Sequence, residues 1–390
     1  MNVLSQNDIK KRIQQVQQHI VRQKADACII STPINLYYLN GRIFDGYMYI
    51  LPDKEPLLFV KRPVSIAGDN VEYIRKPEQL PELLKKRNLS VPKSILLESD
   101  VLPFSGVMRF QKALNMPELK SISGFMRKIR SVKSDAELAQ IRKSALSHAN
   151  VYKQLPNLYR SGMTDLEFQI EIEYIMRKEG SIGSFRTFGE NMDIYMGSLL
   201  AGDNAQEASP FDFALGGKGT DPLLPLGSAN KILQQGTTIM VDMAGNYTPY
   251  LSDMTRTFSV GEISDEAQRA HQLSIDINND MMHFAKEGVA CSAVYERTME
   301  MVVENKMENY FMGTTQQAKF VGHGVGLEIN EPPVFAPRSQ EILQKNMAIA
   351  FEPKFVLPGI GAVGIENTYF VTETGLEKVT ICEENIVVLE

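Results

Sequence analysis

Two aspartates, Asp242 and Asp253, sit in the stretch 237–261, TTIMVDMAGNYTPYLSDMTRTFSVG. Its flanks, 237–243 and 251–260, are rich in Thr, Val, Ile and Phe, and Ala244, Gly245, Asn246, Thr248 and Pro249 between them supply turn chemistry. The pattern predicts a β-hairpin with the two aspartates about equally far from the turn, so their Cβ atoms come out roughly 5 Å apart. At that spacing two carboxylates repel by about 3 kcal/mol at an effective dielectric of about 20. Either both face water, or one holds a proton, or a cation lies between them.

A second acidic pair repeats the geometry. The segments 347–356 (MAIAFEPKFV) and 361–371 (GAVGIENTYFV) read as strands of a hairpin around Leu357-Pro358-Gly359, and Glu352 and Glu366 are equidistant from Gly359. Glu352 interrupts an otherwise apolar strand, and an ionised carboxylate is rarely buried unless it is paired or binds a metal. Between the hairpins, FVGHGVGLEINEPP (320–333) carries His323 flanked by Gly322 and Gly324, which let the backbone approach a neighbour closely. This glycine pattern does not open a helix after a strand, as a dinucleotide fingerprint must. The ALGGKGTD run around Lys218 likewise departs from a phosphate-binding loop, since Gly219 replaces the required Ser or Thr.

The elements that must position these residues are legible in outline. Ser5 with Asp8 opens an amphipathic helix; short apolar strands follow at 27–31, 46–51, 56–60 and 94–97, an α/β domain. Its carboxylates, Asp53, Glu55 and Glu98 among them, fall in turns or at strand ends without evident partners. The basic segment 125–134 marks the boundary, giving domains 1–126 and 127–390. Capping boxes Ser134/Glu137 and Thr164/Glu167 open two helices, the second with apolar stripes on two sides (Phe168, Ile172, Ile175, Met176; Leu166, Ile170, Tyr174). Ser264 caps a helix to about 286 and Ser292 one to about 310, so the second domain reads helix, helix, strands twice over, as in an internal duplication.

Composition narrows the function. With 390 residues, 43% hydrophobic and 23% charged, the chain is that of a soluble multi-domain protein. A net charge of -6 argues against nucleic acid as a general partner and points to small substrates. Three scattered cysteines, Cys28, Cys291 and Cys382, give no disulfide framework; with no export signal and no apolar run of membrane-spanning length, the expectation is a cytoplasmic protein without membrane attachment.

Asp242, Asp253, His323, Glu352 and Glu366, in that order and embedded in VDMAGNYTPYLSDMTRTF, GHGVG, FEP and GIEN, resemble the ligand set of the pita-bread metallopeptidases. That family includes Xaa-Pro dipeptidases, aminopeptidase P and methionine aminopeptidase, with creatinase as a metal-free relative. The resemblance covers nearly the whole chain and implies a two-domain α/β protein: a creatinase/prolidase-type domain ahead of a pita-bread α+β catalytic domain. It further implies two divalent ions per chain (Mn, Fe, Co or Zn), Asp242 on one, His323 and Glu352 on the other, and Asp253 and Glu366 bridging both. A bridging hydroxide would attack the scissile carbonyl, with Glu352 as the catalytic proton shuttle and a homodimer as the assembly.

The sequence departs from the peptidases at three positions. Asn330 stands where the family has a histidine seven residues after the metal-binding one; Phe211 or a neighbour occupies the place of a second; Gly364 stands where proline-specific members often carry Arg. Asn330 and Phe211 are therefore candidate substrate-pocket residues. The expected activity is hydrolysis of short peptides of Xaa-Pro dipeptidase or aminopeptidase P type. The alternatives are non-peptide hydrolysis or lyase chemistry on the same metal site, or a non-catalytic relative.

Overall fold

The computed structural model describes residues 5–186, 195–211 and 213–390. The chain divides into two compact units, Met1–Arg130 and Ser131–Glu390, with the division in the last turn of the helix Ser123–Ser131.

The first unit is built on a six-stranded sheet in the order Val71–Tyr73, Leu57–Arg62, Asp45–Ile50, Ala27–Ile30, Ser94–Leu97, Glu118–Ser121. Its central strands Ala27–Ile30 and Ser94–Leu97 pair in parallel and are buried throughout, which is why they read as continuous apolar runs rather than alternating ones. The opening helix Gln6–Arg22 is capped by Ser5, whose Oγ accepts from the amide of Asp8, and buries Ile9, Val16 and Ile20. Glu98 departs from its expected place as an unpartnered strand-end carboxylate. It is fully buried and accepts from the amides of Ser31 (2.6 Å) and Thr32 (2.8 Å), both their hydroxyls, and Nδ2 of Asn35 (2.7 Å). It thereby satisfies open donors at the start of the helix Pro33–Asn40.

The second unit contains the expected repeat. Helices Asp135–Tyr152 and Asp165–Lys178 precede a sheet ordered Val387–Leu389, Ser252–Val260, Thr237–Gly245, Gly197–Ala201. Helices Asp265–Phe284 and Cys291–Glu304 precede an antiparallel sheet ordered Glu331–Val334, Gly322–Gly324, Ala348–Phe351, Asn367–Val371, Leu376–Lys378. Both capping boxes form as read. The last helix differs: Ala290 is its N-cap, not Ser292, and it ends at Glu304. The second stripe on Asp165–Lys178 also differs, since Ile170 and Tyr174 are 52% and 58% exposed. Only the Phe168, Ile172, Met176 face packs into the core, so this helix is covered on one side.

Candidate metal centre

The first acidic hairpin has a register one turn-residue later than expected. Asp242 pairs with Thr255 and Asp253 with Ala244, so the two aspartates are diagonal rather than directly opposite neighbours. The cause is the loop: Ser144 of the preceding helix donates to the carbonyl of Tyr250 (2.7 Å) and accepts from the amide of Thr248 (3.1 Å), which fixes the turn's centre beyond Tyr247. Moving the centre by one residue moves the partner by two, so period-two alternation keeps both carboxylates on one face.

The second hairpin keeps its expected register but not its continuity. Phe351 pairs with Asn367 and Lys354 with Gly364, so Glu352 and Glu366 face each other where both strands break. Ala348–Phe351 and Asn367–Val371 belong to the five-stranded sheet, whereas Lys354–Leu357 and Gly361–Gly364 form a separate ribbon. Each glutamate therefore sits at a kink between two sheets. His323 is paired to Ala350 on the adjacent strand. The glycines beside it serve the close approach expected of them: a Cβ at Gly322 would lie 2.4 Å from the carbonyl oxygen of Ala350, and one at Gly324 2.2 Å from that of Pro332.

These elements bring all five expected residues around one cavity. Nδ1 of His323 lies 3.1 Å from the carbonyl oxygen of Gly324, an acceptor only, so Nδ1 carries the proton and Nε2 presents its lone pair. That lone pair faces Oε1 of Glu352 at 3.6 Å and Oδ2 of Asp253 at 3.8 Å. Burial, against the opposing charge of Glu366, holds His323 below its ordinary value, keeping it neutral as a ligand must be. Two groupings have donor atoms within 4.8 Å of one another: Asp253, His323, Glu366 and Asp242, Glu352, Glu366.

The residue that sequence reasoning missed is Lys354. Its side chain is fully buried, and Nζ donates to Oδ2 of Asp242 (2.9 Å), Oε2 of Glu352 (2.6 Å) and Oε2 of Glu366 (3.1 Å). Burial works against its charge, but Asp242, Glu352 and Glu366 outweigh that and hold the ammonium well above its ordinary value. The signal was present: a lysine inside MAIAFEPKFV is as anomalous as the glutamate, and positions 352 and 354 share a face of an extended chain. Gly364, the position where the resemblance expects an Arg, is the direct cross-strand partner of this lysine and has φ +134°. A Cβ there would lie 2.7 Å from the carbonyl oxygen of Pro353. The cation is thus on the opposite strand from the one expected.

One ammonium does not neutralise four carboxylates. Burial, then Glu366, Asp242 and Glu352, push Asp253 well above its ordinary value; burial and then Glu352 push Glu366 up to about 7; burial also raises Glu352. The Asp253–His323–Glu366 grouping, with donor atoms all within 4.8 Å of one another, could hold a metal. The Asp242–Glu352–Glu366 grouping already surrounds a cation.

The acidic cluster is braced from around it. Thr255 donates to Oε2 of Glu366 at 2.6 Å, and buried Arg256 donates to the carbonyl of Glu366 (2.8 Å) and to Oδ1 of Asn367 (2.8 Å). Arg256 was also missed. Asn330 is half-buried and lines the cavity, as expected, while the adjacent Glu331 turns away to Lys133, 3.3 Å distant. Phe211 does not line it. Phe213 and Ala214 do, with Phe185, Leu226, Phe320 and Ile329, which give the cavity a largely apolar part of its lining. Phe211 lines an adjoining cavity that shares Phe213, Ala214 and Phe320 with the first.

Residues 139–373 match the model of metallopeptidase family M24, and residues 12–132 match the creatinase/prolidase N-terminal domain. The chain belongs to metallopeptidase family M24, as an enzyme of the peptidase class. It is similar to the Xaa-Pro dipeptidase of Pyrococcus furiosus, 24% identical over 97% of this chain and 100% of that one. Among solved structures, the X-Pro aminopeptidase from Thermotoga maritima superposes with a TM-score of 0.80 at 23% identity, covering 97% of this chain and 99% of that one. A Xaa-Pro dipeptidase from Bacillus anthracis also gives 0.80, at 22% identity over 98% and 100% of the two chains. Both domains of the expected architecture are present, and no helix of the described residues is long and apolar enough to cross a membrane.

Proposed function

We propose that the chain hydrolyses short peptides of the Xaa-Pro class at a metal held by Asp253, His323 and Glu366, with Glu352 beside it as the proton shuttle. The observation that carries this reading is the approach of the neutral Nε2 of His323 to oxygens of Asp253 and Glu352, at 3.8 and 3.6 Å, in a cavity whose lining is in part apolar. The apolar part suits a proline ring or an apolar side chain, and the relatives named Xaa-Pro dipeptidase support the substrate class. A carboxylate-rich set with one imidazole suits Mn best among Mn, Fe, Co and Zn.

A divalent ion bound there would supply Lewis acidity toward the scissile carbonyl and lower the pKa of a bound water. The chain's own groups do the rest. Lys354 fixes Oε2 of Glu352, which leaves Oε1 as the oxygen able to take the proton of the attacking water. Delivered from Oε1 to the departing amide nitrogen, that proton completes cleavage. Asp242, 28% exposed at its side chain, lies on the open side and orients the ammonium. The two-ion, bridging-hydroxide form of the reading draws on the complete five-residue ligand set; against it stands Lys354, which already shares three of those ligands.

The same reading carries a cytoplasmic homodimer, supported by the free state of Cys28, Cys291 and Cys382 and by kinship to prolidases. One observation favours a second reading, hydrolysis or lysis of a non-peptide substrate. Asn330 lines the cavity at the position of a family histidine and cannot carry a charge near neutral pH. A panel of Xaa-Pro dipeptides, longer Xaa-Pro peptides and non-peptide amides separates the two. Cleavage confined to the peptides supports the first; cleavage confined to the others overturns it.

A further inference from the structure

We infer that Lys354 is a built-in cation occupying one of the two cation positions of this centre, so that the protein works with a single metal ion. The inference rests on the metal-dependent reading above and specifies its stoichiometry.

The geometry is the first ground. Nζ of Lys354 touches one oxygen from each of Asp242, Glu352 and Glu366, at 2.9, 2.6 and 3.1 Å. Those are the three residues of one of the two ligand groupings. A metal sharing these oxygens would draw them to about 2.0–2.2 Å. The ammonium nitrogen already stands among these three oxygens at hydrogen-bonding distance, the place a metal shared by all three would take.

The second ground is that the lysine has nowhere else to go. Its side chain has 0% exposure, and residue 354 lies in a ribbon paired directly to Gly364. The strand Lys354–Leu357 is buried along its whole length, and its amide and carbonyl neighbours are tied in: the amide of Met312 donates to the carbonyl of Lys354 at 2.8 Å. Withdrawing the ammonium would bury an unpaired charge in the core around Phe355 and Val356.

Charge is compatible with this arrangement. Four carboxylates and the ammonium sum to -3, from -4 and +1. One divalent ion beside the ammonium brings the site to -1 and two would bring it to +1, equally far from neutral, so the charge balance accommodates a single ion without demanding a second. The remaining donors divide accordingly. Asp253, His323 and Glu366 form the other grouping, and neither Asp253 nor His323 is among the three residues that Lys354 touches. The ammonium takes the role of a second positive centre that aligns Glu352 and Glu366, and it does so as a hydrogen-bond donor of fixed position.

The test counts metal. Wild type, loaded with excess Mn(II) and desalted, should hold about one ion per chain, with the hyperfine pattern of an isolated Mn(II) in its electron paramagnetic resonance spectrum. Lys354→Ala and Lys354→Gly, which vacate the position, should rise to about two ions and show an exchange-coupled signal. Two ions in wild type overturn the inference and leave the metal-dependent reading standing. No ion in wild type overturns both. Variants that fold and still hold one ion also overturn it; if neither variant folds, the wild-type count and spectrum decide.

Discussion

Nζ of Lys354 lies 2.9 Å from Oδ2 of Asp242, whereas the carboxylates that come within 4 Å of His323 are those of Asp253 and Glu352. Asp242 is therefore a partner of the lysine before it is a ligand of anything else. Asp242→Asn should leave the metal content of the protein near its wild-type level, while His323→Ala should remove most of it. Elemental analysis of the desalted proteins checks both. A loss of half the metal in Asp242→Asn alone would show that Asp242 binds an ion.

Asn330 tests the substrate class. An amide can donate one hydrogen bond to a substrate carbonyl but cannot carry charge, and removing a donor of that kind typically costs about 100 to 1,000-fold in rate. Wild type should cleave Xaa-Pro dipeptides weakly, and Asn330→His should raise kcat/KM by at least about tenfold. Steady-state assays on both proteins decide it, and an unchanged or lower value in the variant would separate Asn330 from catalysis.

Glu98 makes a prediction about stability alone. It accepts from five donors in the first unit, and Glu98→Ala would remove the shared partner of the buried Asn35 and the half-buried Ser31 and Thr32. The expected loss is about 3 kcal/mol or more, with metal content unchanged, as measured by denaturant titration and elemental analysis. A change below about 0.5 kcal/mol would mean that water replaces the carboxylate.

Two buried histidines make stability depend on pH. Burial, then the charge of Arg256, lowers His148 to about 3; burial, against a hydrogen bond to the carbonyl of Glu384, lowers His271 to about 4. A folded value below the ordinary 6.5 means that the unfolded chain binds the proton first. The contribution is complete above pH about 6.5 and is lost as pH falls toward the folded values. His148→Gln should reduce the slope of unfolding free energy against pH by about 1.4 kcal/mol per unit between roughly pH 6 and 4. An identical slope in the two proteins would show that His148 does not stay neutral in the fold.

The five candidate residues were legible in the sequence because each breaks a local rule: carboxylates in β-rich runs, and a histidine between glycines that close backbone approach requires. Period-two alternation protected the reading of Asp242 and Asp253 even though Ser144 shifted the turn by one residue. What was not legible depended on contacts distant in sequence. Lys354 bonds Asp242 across 112 positions, and Glu98 reaches Ser31 and Thr32 across 67 and 66. Phe211 and Phe213 differ by one strand-like repeat in a loop without periodicity, so nothing local said which of them faces the centre.

The most direct test of the account is Xaa-Pro dipeptide hydrolysis by one preparation measured three times: loaded with Mn(II), after chelation, and after Mn(II) is restored. The account predicts cleavage in the first, its loss in the second and its return in the third, with His323→Ala inactive throughout. Cleavage that survives complete removal of metal, or a metal-loaded protein that cleaves no Xaa-Pro peptide, would contradict it.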